Sequence, residues 1–233
     1  MGEASVVYRV KDGVATITLN RPEVLNALHP PLVAELADAA AAAARDPEVW
    51  VVAVRGAGRA FSSGMDRQAL SAGLIQEALY RHWIRALNCL EDMDKLVVGV
   101  LHGYCIGGGL QLAVACDIRL AASDAILGLG ATRHGLIPDG SILRLARIVG
   151  LGRAKEMILT GARWSGAQAL VYGLVSQVVP LPELMSAARA CADRILALGP
   201  LAVLLSKQAI NASMQMPLAA GLAYESKIGR AHV

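Results

Sequence analysis

Two glycine-rich segments contain the residues best suited to chemistry in this sequence. They are residues 56–66 (GAGRAFSSGMD) and 103–111 (GYCIGGGLQ), and each comes shortly after an apolar stretch. Glycines let the main chain turn sharply and come close to a ligand. Main-chain N–H groups at the start of a helix have no partner within it, and two such donors that converge on one ligand oxygen form an oxyanion hole. The alternative for either segment is a tight turn or close helix packing.

The spacing of these glycines differs from that of the common phosphate-binding loops. Residues 107–112 read GGGLQL, which lacks the GxGxxG spacing of dinucleotide-binding domains, and the sequence contains no GxxxxGK[ST] motif. Nucleotide-binding folds of these two types are therefore excluded.

The charge of the chain does not indicate a nucleic-acid partner. Lys and Arg number 22 against 19 Asp and Glu, which gives a net charge of +3, and aromatic residues make up 4% of the 233 residues. Proteins that bind nucleic acids cluster positive charge on one face and stack aromatic side chains on bases. We therefore expect no nucleic-acid partner.

The hydropathy and the cysteines predict a cytoplasmic protein that does not enter a membrane. Mean hydropathy is +0.47. The longest apolar stretches, such as Ile195–Leu205, still fall short of the roughly 18 to 20 residues that cross a bilayer. The first residues show no basic segment followed by an apolar one, so we expect no secretion signal. Four cysteines lie in apolar segments without metal-ligand spacing, which predicts reduced buried thiols and no metal site.

Strand and helix patterns alternate around the glycine-rich segments. Residues 14–19 are rich in β-branched side chains and alternate in polarity, which predicts a strand. Ser165 is placed to cap a helix over residues 167–172, and Pro182 lies in the first turn of another helix. Further strands are predicted at 49–54, 96–101, 118–121, 125–129 and 175–179, and further helices at 32–45, 74–91, 108–116 and 182–197. This alternation indicates an α/β domain with a helical C-terminal part.

Six segments, in order over nearly the whole chain, resemble the crotonase (enoyl-CoA hydratase/isomerase) family. They are residues 17–28 (ITLNRPEVLNAL), 58–66 (GRAFSSGMD), 102–111 (HGYCIGGGLQ), 116–121 (CDIRLA), 135–140 (GLIPDG) and 144–150 (RLARIVG). The resemblance implies an α/β fold, a crotonase-like spiral of ββα units over residues 1–180. It also implies a C-terminal helical trimerisation region over residues 181–233, shorter than is usual in the family.

The resemblance further implies that the ligand is an acyl-CoA thioester and that the oligomer is a homotrimer or a dimer of trimers. No separate cofactor is expected, because coenzyme A is part of the substrate. The oxyanion donors would be the main-chain N–H groups of Met65 and Gly108, which would stabilise a thioester enolate. The remaining residues expected at the substrate are Ala27, Ser63, Asp66, Gly107, Ala131 and His134.

Some of these residues have a second interpretation. Asp66 can instead fix its own loop, and His134 can be a solvated loop histidine. Arg21 and Arg59 can contact the CoA phosphates or be ordinary surface arginines. Trp83, on the helix that walls the acyl site in the family, is expected chiefly to pack and to shape the pocket.

The resemblance does not extend to the two glutamates that add water in the hydratases. Their positions are Gln111 and Ala131 in this chain. A neutral amide does not accept a proton at neutral pH and alanine has no polar group, so hydration is disfavoured. Gln111 retains the ability to orient a water molecule or a substrate carbonyl by hydrogen bonding.

One carboxylate remains at a suitable place. Asp139 follows Pro138 at the point where some isomerases of the family have a proton-shuttling aspartate, and one carboxylate suffices to move a proton from one carbon to another. The alternative is that Asp139 caps the helix that begins near Ser141. We therefore expect an isomerase-like enzyme. The alternatives are a non-catalytic acyl-CoA-binding or assembly subunit, and a decarboxylase of a biosynthetic acyl thioester.

Overall fold

The computed structural model describes residues 4–232, except for the side chains of residues 134 and 230–232. Strands and helices alternate through most of this range, and helices alone follow the last strand. The strands are β1 (Val6–Lys11), β2 (Val14–Leu19), β3 (Val51–Gly56), β4 (Leu96–Leu101), β5 (Tyr104–Ile106), β6 (Ile118–Ala122), β7 (Ile126–Gly128), β8 (Arg163–Ser165) and β9 (Gln177–Val179). The helices are α1 (Pro30–Arg45), α2 (Arg67–Ser71), α3 (Glu77–Asp92), α4 (Gly108–Val114), α5 (Ile142–Thr160), α6 (Gly166–Val171), α7 (Leu184–Leu196), α8 (Pro200–Ser213) and α9 (Leu218–His232).

The strands form two sheets. The larger has the order β1-β2-β3-β4-β6-β9, parallel except for the antiparallel pair β1 and β2, and the smaller has the order β5-β7-β8. The chain repeatedly gives one strand to the larger sheet and the next to the smaller one, as in β4 followed by β5 and β6 followed by β7. After β3, Ser62 forms an isolated bridge to Cys105 beside the smaller sheet. This is the spiral arrangement that the sequence predicts.

The core lies between the larger sheet and the helices that cover it. The alanine-rich helix α1 buries Leu32, Leu36 and Ala40 completely and packs against α3. Each fully buried leucine stabilises the fold by about 1.5 to 3 kcal/mol. The opposite side of the same sheet is covered by α7, whose Leu184 and Ala188 pack with the strand residues of a second core cluster.

Most predicted elements are confirmed, and the differences have local causes. The strand at 96–101 and the capping function of Ser165 are correct, the latter as a reciprocal capping box with Gln168. The helix predicted from residue 74 begins at Glu77, and the separate short helix α2 precedes it because Asp66 caps a first turn there. The strands β5 and β8 were not predicted, because three residues are too few to show a period.

The C-terminal helix α8 is attached to the larger sheet by a buried ion pair. Lys207 Nζ donates to the Asp117 carboxylate and to the Lys95 carbonyl, at 2.9 Å each. The same Asp117 oxygen accepts the Val97 N–H at 2.7 Å. Burial raises the pKa of Asp117 more than Lys207 lowers it. Asp117 therefore anchors a helix from far along the chain.

Two further predictions concern the cysteines and membrane spans. All four cysteines are free thiols, three of them buried, and burial raises the pKa of Cys116 to about 12. In the part of the chain that the structure describes, no single helix is long and apolar enough to cross a membrane. The segments Leu181–Leu196 and Pro200–Ser213 meet that length and composition only together, and they are bent by 104°.

Candidate active site

The two glycine-rich segments lie against each other. Ser62 N–H donates to the Tyr104 carbonyl at 2.9 Å, and Ile106 N–H donates to the Ser62 carbonyl at 3.1 Å. Gly64 has a φ of +87°, and a Cβ at this position would lie 2.8 Å from the Ile106 carbonyl oxygen and 3.1 Å from the Gly108 nitrogen. Any larger residue would push the two segments apart, so this glycine is required for the contact.

The loop before α1 completes the same cluster. Leu28 N–H donates to the Gly64 carbonyl at 2.8 Å, and Asp66 N–H donates to the Leu28 carbonyl at 2.9 Å. Ser63 N–H donates to the Leu25 carbonyl at 2.9 Å. Three segments that are distant in the sequence therefore meet at Gly64.

Met65 and Gly108 each present a main-chain N–H without an acceptor among the described residues. Met65 lies in an isolated parallel bridge with Leu28. The hydrogen bonds of this bridge are made by Gly64 and Asp66, on either side of Met65, so the main-chain N–H of Met65 itself stays free. Gly108 is the first residue of α4, and a first-turn N–H has no acceptor within its helix. The structure thus brings two free donors to adjoining segments.

Asn26 ties the loop to the first glycine-rich segment. It is completely buried, and its Nδ2 donates to the carbonyls of Ala57, Ala60 and Phe61 at 2.9, 2.8 and 3.2 Å. Its Oδ1 accepts the Arg21 N–H at 2.9 Å. No function of Asn26 itself was predicted from the sequence. The feature of the sequence that could have identified Asn26 is its place as a polar residue between the apolar side chains of Leu25 and Ala27, in a turn-rich connection.

Arg21 and Asp66 form an ion pair within this cluster. The Arg21 Nη1 donates to Asp66 Oδ2 at 2.9 Å and to the Ala27 carbonyl at 2.8 Å. Asp66 Oδ1 accepts the N–H groups of Gln68 and Ala69 at 3.0 and 3.1 Å. Burial raises the pKa of Asp66, but these hydrogen bonds outweigh it and the pKa is lowered.

The hydrogen-bond and ion-pair partners of Asp66 and Arg21 decide between the two interpretations of each of these residues. The second interpretation of Asp66, that it fixes its own loop, is confirmed, because both carboxylate oxygens already have protein partners. The interpretation of Arg21 as a solvated surface residue is wrong, since its side chain is 20% exposed and ion-paired. Arg59 is exposed.

Gln111 is buried one helical turn after Gly108. Its Oε1 accepts the Trp83 Nε1–H at 2.7 Å. Trp83 belongs to α3 and is itself buried, so this contact joins α3 to α4. The expected packing position of Trp83 is confirmed, and its hydrogen bond to Gln111 was not predicted.

Asp139 lies on a fixed loop but keeps its carboxylate free. Ser141 is the N-cap residue of α5, and no side chain caps this helix by a hydrogen bond, so the interpretation of Asp139 as the helix cap is wrong. Arg144 holds the loop through the Gly140 carbonyl and pairs with Glu91 of α3 at 2.6 Å. The Asp139 side chain is exposed and has no hydrogen-bond or ion-pair partner among the groups that the structure describes.

The other predicted residues occupy two neighbouring places. Ala27 is buried and Ser63 half-buried in the cluster around Gly64. Gly107 has a φ of +54° and donates its N–H to the Gly128 carbonyl at 2.9 Å. Ala131 and His134 lie in a short 3-10 helix, Gly130–His134, which begins two residues after Gly128. The His134 side chain lies outside the described residues.

Comparison with known proteins decides what this arrangement is. The chain matches the model of the enoyl-CoA hydratase/isomerase family over residues 9–232. It is 36% identical to the short-chain-enoyl-CoA hydratase of Clostridium acetobutylicum, with 96% of this chain and 87% of the relative covered. The chain belongs to the enoyl-CoA hydratase/isomerase family.

Solved structures agree with this assignment. An enoyl-CoA hydratase from Bacillus anthracis superposes with a TM-score of 0.92 at 34% identity, covering 98% of this chain and 92% of that one. A putative enoyl-CoA hydratase from Thermobifida fusca in complex with CoA superposes with a TM-score of 0.90 at 28% identity, covering 98% and 93%. The resemblance and the α/β fold are thus confirmed, and the protein is an enzyme of this family.

The candidate site is distinct from a large cavity at the C-terminal end of α4. That cavity measures about 640 Å³ and is lined by residues such as Asp117, Arg144 and Lys207. None of the predicted site residues lines it. Across the described residues, no three His, Cys, Asp or Glu side chains are grouped as metal ligands would be.

Proposed function

We propose that this family member binds an acyl-CoA thioester and moves its carbon-carbon double bond. The observation that carries the proposal is the pair of free N–H groups of Met65 and Gly108 on adjoining segments. The CoA complex of the Thermobifida fusca protein supports the ligand class. A cytoplasmic location and the lack of a separate cofactor remain predictions.

The two donors would act on the thioester oxygen. Hydrogen bonds to that oxygen strengthen as it gains negative charge, so they stabilise the enolate more than the ground state. One such donor contributes about 3 to 4 kcal/mol to lowering the barrier in other enzymes. The same charge makes the α-carbon of the acyl group acidic.

Asp139 would then carry the proton. Its carboxylate removes a proton from the α-carbon of a 3-enoyl thioester, and the electron pair of that C–H bond enters the dienolate. The protonated Asp139 returns the proton to the γ-carbon, which leaves a 2-enoyl thioester and restores the carboxylate. The free carboxylate on a loop held by Arg144 supports this assignment.

Hydration is disfavoured at the same site. The positions of the two hydratase glutamates are Gln111 and Ala131, and the Gln111 carbonyl oxygen already accepts the Trp83 N–H. A general base for water is therefore lacking at both positions.

Separate incubation of the purified protein with 3-enoyl-CoA and 2-enoyl-CoA tests the proposal. Isomerisation changes the retention time of the thioester without changing its mass, whereas hydration adds one water. We expect isomerisation that falls about 100-fold or more in Asp139→Asn, the lower range for a general acid–base group. Asp124→Asn, at another exposed aspartate, serves as the matched control and is expected to be unchanged.

The other outcomes identify the alternatives. Binding of CoA thioesters without turnover indicates the non-catalytic acyl-CoA-binding subunit, and loss of carbon dioxide from a malonyl-type thioester indicates the decarboxylase. Turnover that is unchanged in Asp139→Asn contradicts the proton transfer assigned to Asp139.

A further inference from the structure

The large cavity at the C-terminal end of α4 has the dimensions of a ligand site. Its volume is about 640 Å³, within the roughly 300 to 1,000 Å³ that is typical of small-molecule pockets. Residues of α3, α4, β6, α5 and α8 contribute to its walls. Apolar side chains such as Val114, Ile148 and Ile210 line it together with charged ones. A ligand in this cavity would therefore meet both an apolar wall and a charged one.

Arg119 of β6 places a buried positive charge at this cavity. The residue is 8% exposed and lines the cavity. Its Nε donates to the Leu174 carbonyl at 2.7 Å, and its Nη1 donates to the Cys116 carbonyl at 2.5 Å. Among the described residues, no carboxylate forms an ion pair with it, since the nearby Asp117 is paired with Lys207. Buried charges are usually paired, so Arg119 is an exception.

The third nitrogen of this guanidinium is available to a ligand. Nη2 has no hydrogen-bond partner among the groups that the structure describes. The sealed side-chain atoms without a partner there are Tyr8 Oη and Trp164 Nε1, so Nη2 is reached by solvent although the residue as a whole is buried. An acceptor inside the cavity can therefore take the N–H groups of Nη2.

Two ion pairs neutralise most of the other charge that lines the cavity. Arg144 of α5 pairs with Glu91 of α3 at 2.6 Å. Lys207 of α8 pairs with Asp117 at 2.9 Å. These four side chains already have partners of opposite charge, so they do not set the charge of a ligand.

The charged residues that remain in the lining are Arg119, Arg147 and Asp92. Arg147 and Asp92 are exposed, and neither forms an ion pair among the described groups. Arg147 lies three residues after Arg144, on the same face of α5. One positive charge is thus left in excess, which a monoanion neutralises and a dianion exceeds.

We propose that this cavity binds a small organic monoanion with an apolar body, in the manner of a medium-chain carboxylate. The carboxylate accepts hydrogen bonds from Arg119 Nη2 and from Arg147, and the hydrocarbon packs against the apolar wall. Because α8 forms part of that wall, the bound anion holds this helix against the rest of the fold. The site is separate from the candidate active site and does not depend on the proposed function.

Calorimetry with matched probes tests the inference. Octanoate, 1-octanol and octylamine share an eight-carbon chain and differ in the charge of the head group, and inorganic phosphate is an anion without an apolar body. We expect the wild type to bind octanoate about tenfold or more tightly than 1-octanol, the range expected for hydrogen bonds to a charged group. Octylamine and phosphate are expected to bind more weakly than octanoate.

Three variants assign the binding to this cavity. Arg147→Glu reverses the excess charge at an exposed residue, and we expect octanoate affinity to fall about tenfold or more while 1-octanol affinity is kept. Ser206→Trp, at an exposed residue of the lining, narrows the cavity and should weaken both probes. Arg119→Met removes the buried donor and should weaken octanoate alone. The controls are Arg9→Glu and Ser186→Trp at exposed residues away from the lining, and both should bind as the wild type does.

The outcomes are distinct even if Arg119→Met does not fold, because Arg147 and Ser206 are exposed. Octanoate that binds no more tightly than 1-octanol overturns the inference. Undiminished octanoate binding in both Arg147→Glu and Ser206→Trp also overturns it, and if an acyl-CoA thioester displaces that octanoate, the carboxylate lies at the candidate active site instead. Failure of the isomerisation assay leaves this result unaffected.

Discussion

Asn26 shows how one buried side chain holds the shape of the candidate active site. It spans the loop before α1 and the first glycine-rich segment, and three carbonyl oxygens depend on its amide. Its φ of +54° is also a conformation that asparagine tolerates better than most residues. Its contribution is therefore both conformational and polar.

We expect Asn26→Ala to lower the free energy of unfolding by about 1 to 3 kcal/mol, because buried carbonyls lose their donor. We also expect it to weaken the binding of CoA thioesters, because the segment that contains Met65 loses its support. Urea denaturation and calorimetry measure the two effects. Asn26→Gly removes the same hydrogen bonds but keeps the positive φ accessible. If it restores full stability, the hydrogen bonds contribute little and the prediction is wrong.

Asp66 makes the stability of the fold depend on pH. Its pKa is lowered from 3.8 because the hydrogen bonds of the ionised form exceed the effect of burial. A lowered carboxyl pKa stabilises the fold above the unfolded-state value, and this contribution is lost as the pH falls through the folded-state value. We expect the wild type to be more stable than Asp66→Asn at neutral pH, with a difference that shrinks below about pH 4. Urea denaturation over a pH series measures it, and a constant difference would contradict the assignment.

At the scale of elements, the position of α8 depends on a charge pair between residues 117 and 207. Both side chains are largely buried, at 15% and 6% exposed, and the pair lies against the beginning of β4. Removing one partner of such a pair leaves an uncompensated buried charge, whereas replacing both is far less costly.

We expect Lys207→Met to lower the free energy of unfolding by about 3 to 5 kcal/mol, and the double variant Lys207→Met/Asp117→Asn to recover a large part of that loss. A double-mutant cycle in urea measures the coupling between the two residues. Lys155→Met, at an exposed lysine of α5, is the matched control and should have little effect. A loss in the double variant equal to the sum of the losses in Lys207→Met and Asp117→Asn would show that the pair is not coupled.

At the scale of the whole molecule, the helices α5 and α9 each expose large apolar side chains. Leu143, Leu151 and Leu159 of α5 are 72%, 70% and 69% exposed, and Leu218 of α9 is 79% exposed. Large contiguous apolar patches are uncommon on monomers and are typical of surfaces that bind another protein, so we expect these leucines to belong to an interface. A homotrimer or a dimer of trimers would cover part of them.

We therefore expect a mass of three or six times the 24.4 kDa chain in sedimentation equilibrium. Leu151→Glu places a charge on this surface, and we expect it to shift the population toward smaller species if α5 lies in the interface. Leu70→Glu, at an exposed leucine of α2, is the comparison on another face. A wild type that sediments as a monomer at micromolar concentrations contradicts the predicted oligomer.

The sequence by itself determined the features that depend on local order along the chain. The glycine-rich segments, the apolar strands and the capping residue Ser165 are patterns of neighbouring residues, so their elements were predicted close to their observed bounds. The resemblance covered nearly the whole chain because its six segments keep their order, and it indicated the family; that Met65 and Gly108 are the oxyanion donors stays a prediction.

Only the tertiary structure decided what the polar side chains do, because their partners are distant in the sequence. Gln111 contacts Trp83 across 28 residues and Asp66 contacts Arg21 across 45, separations that no local pattern encodes. The Asp139 carboxylate remains free because Arg144 and Ser141 hold its loop through main-chain carbonyls instead. Hydrogen bonding is directional and depends on which groups the fold brings within about 3 Å, so the chemistry of these side chains follows from packing and not from residue type alone.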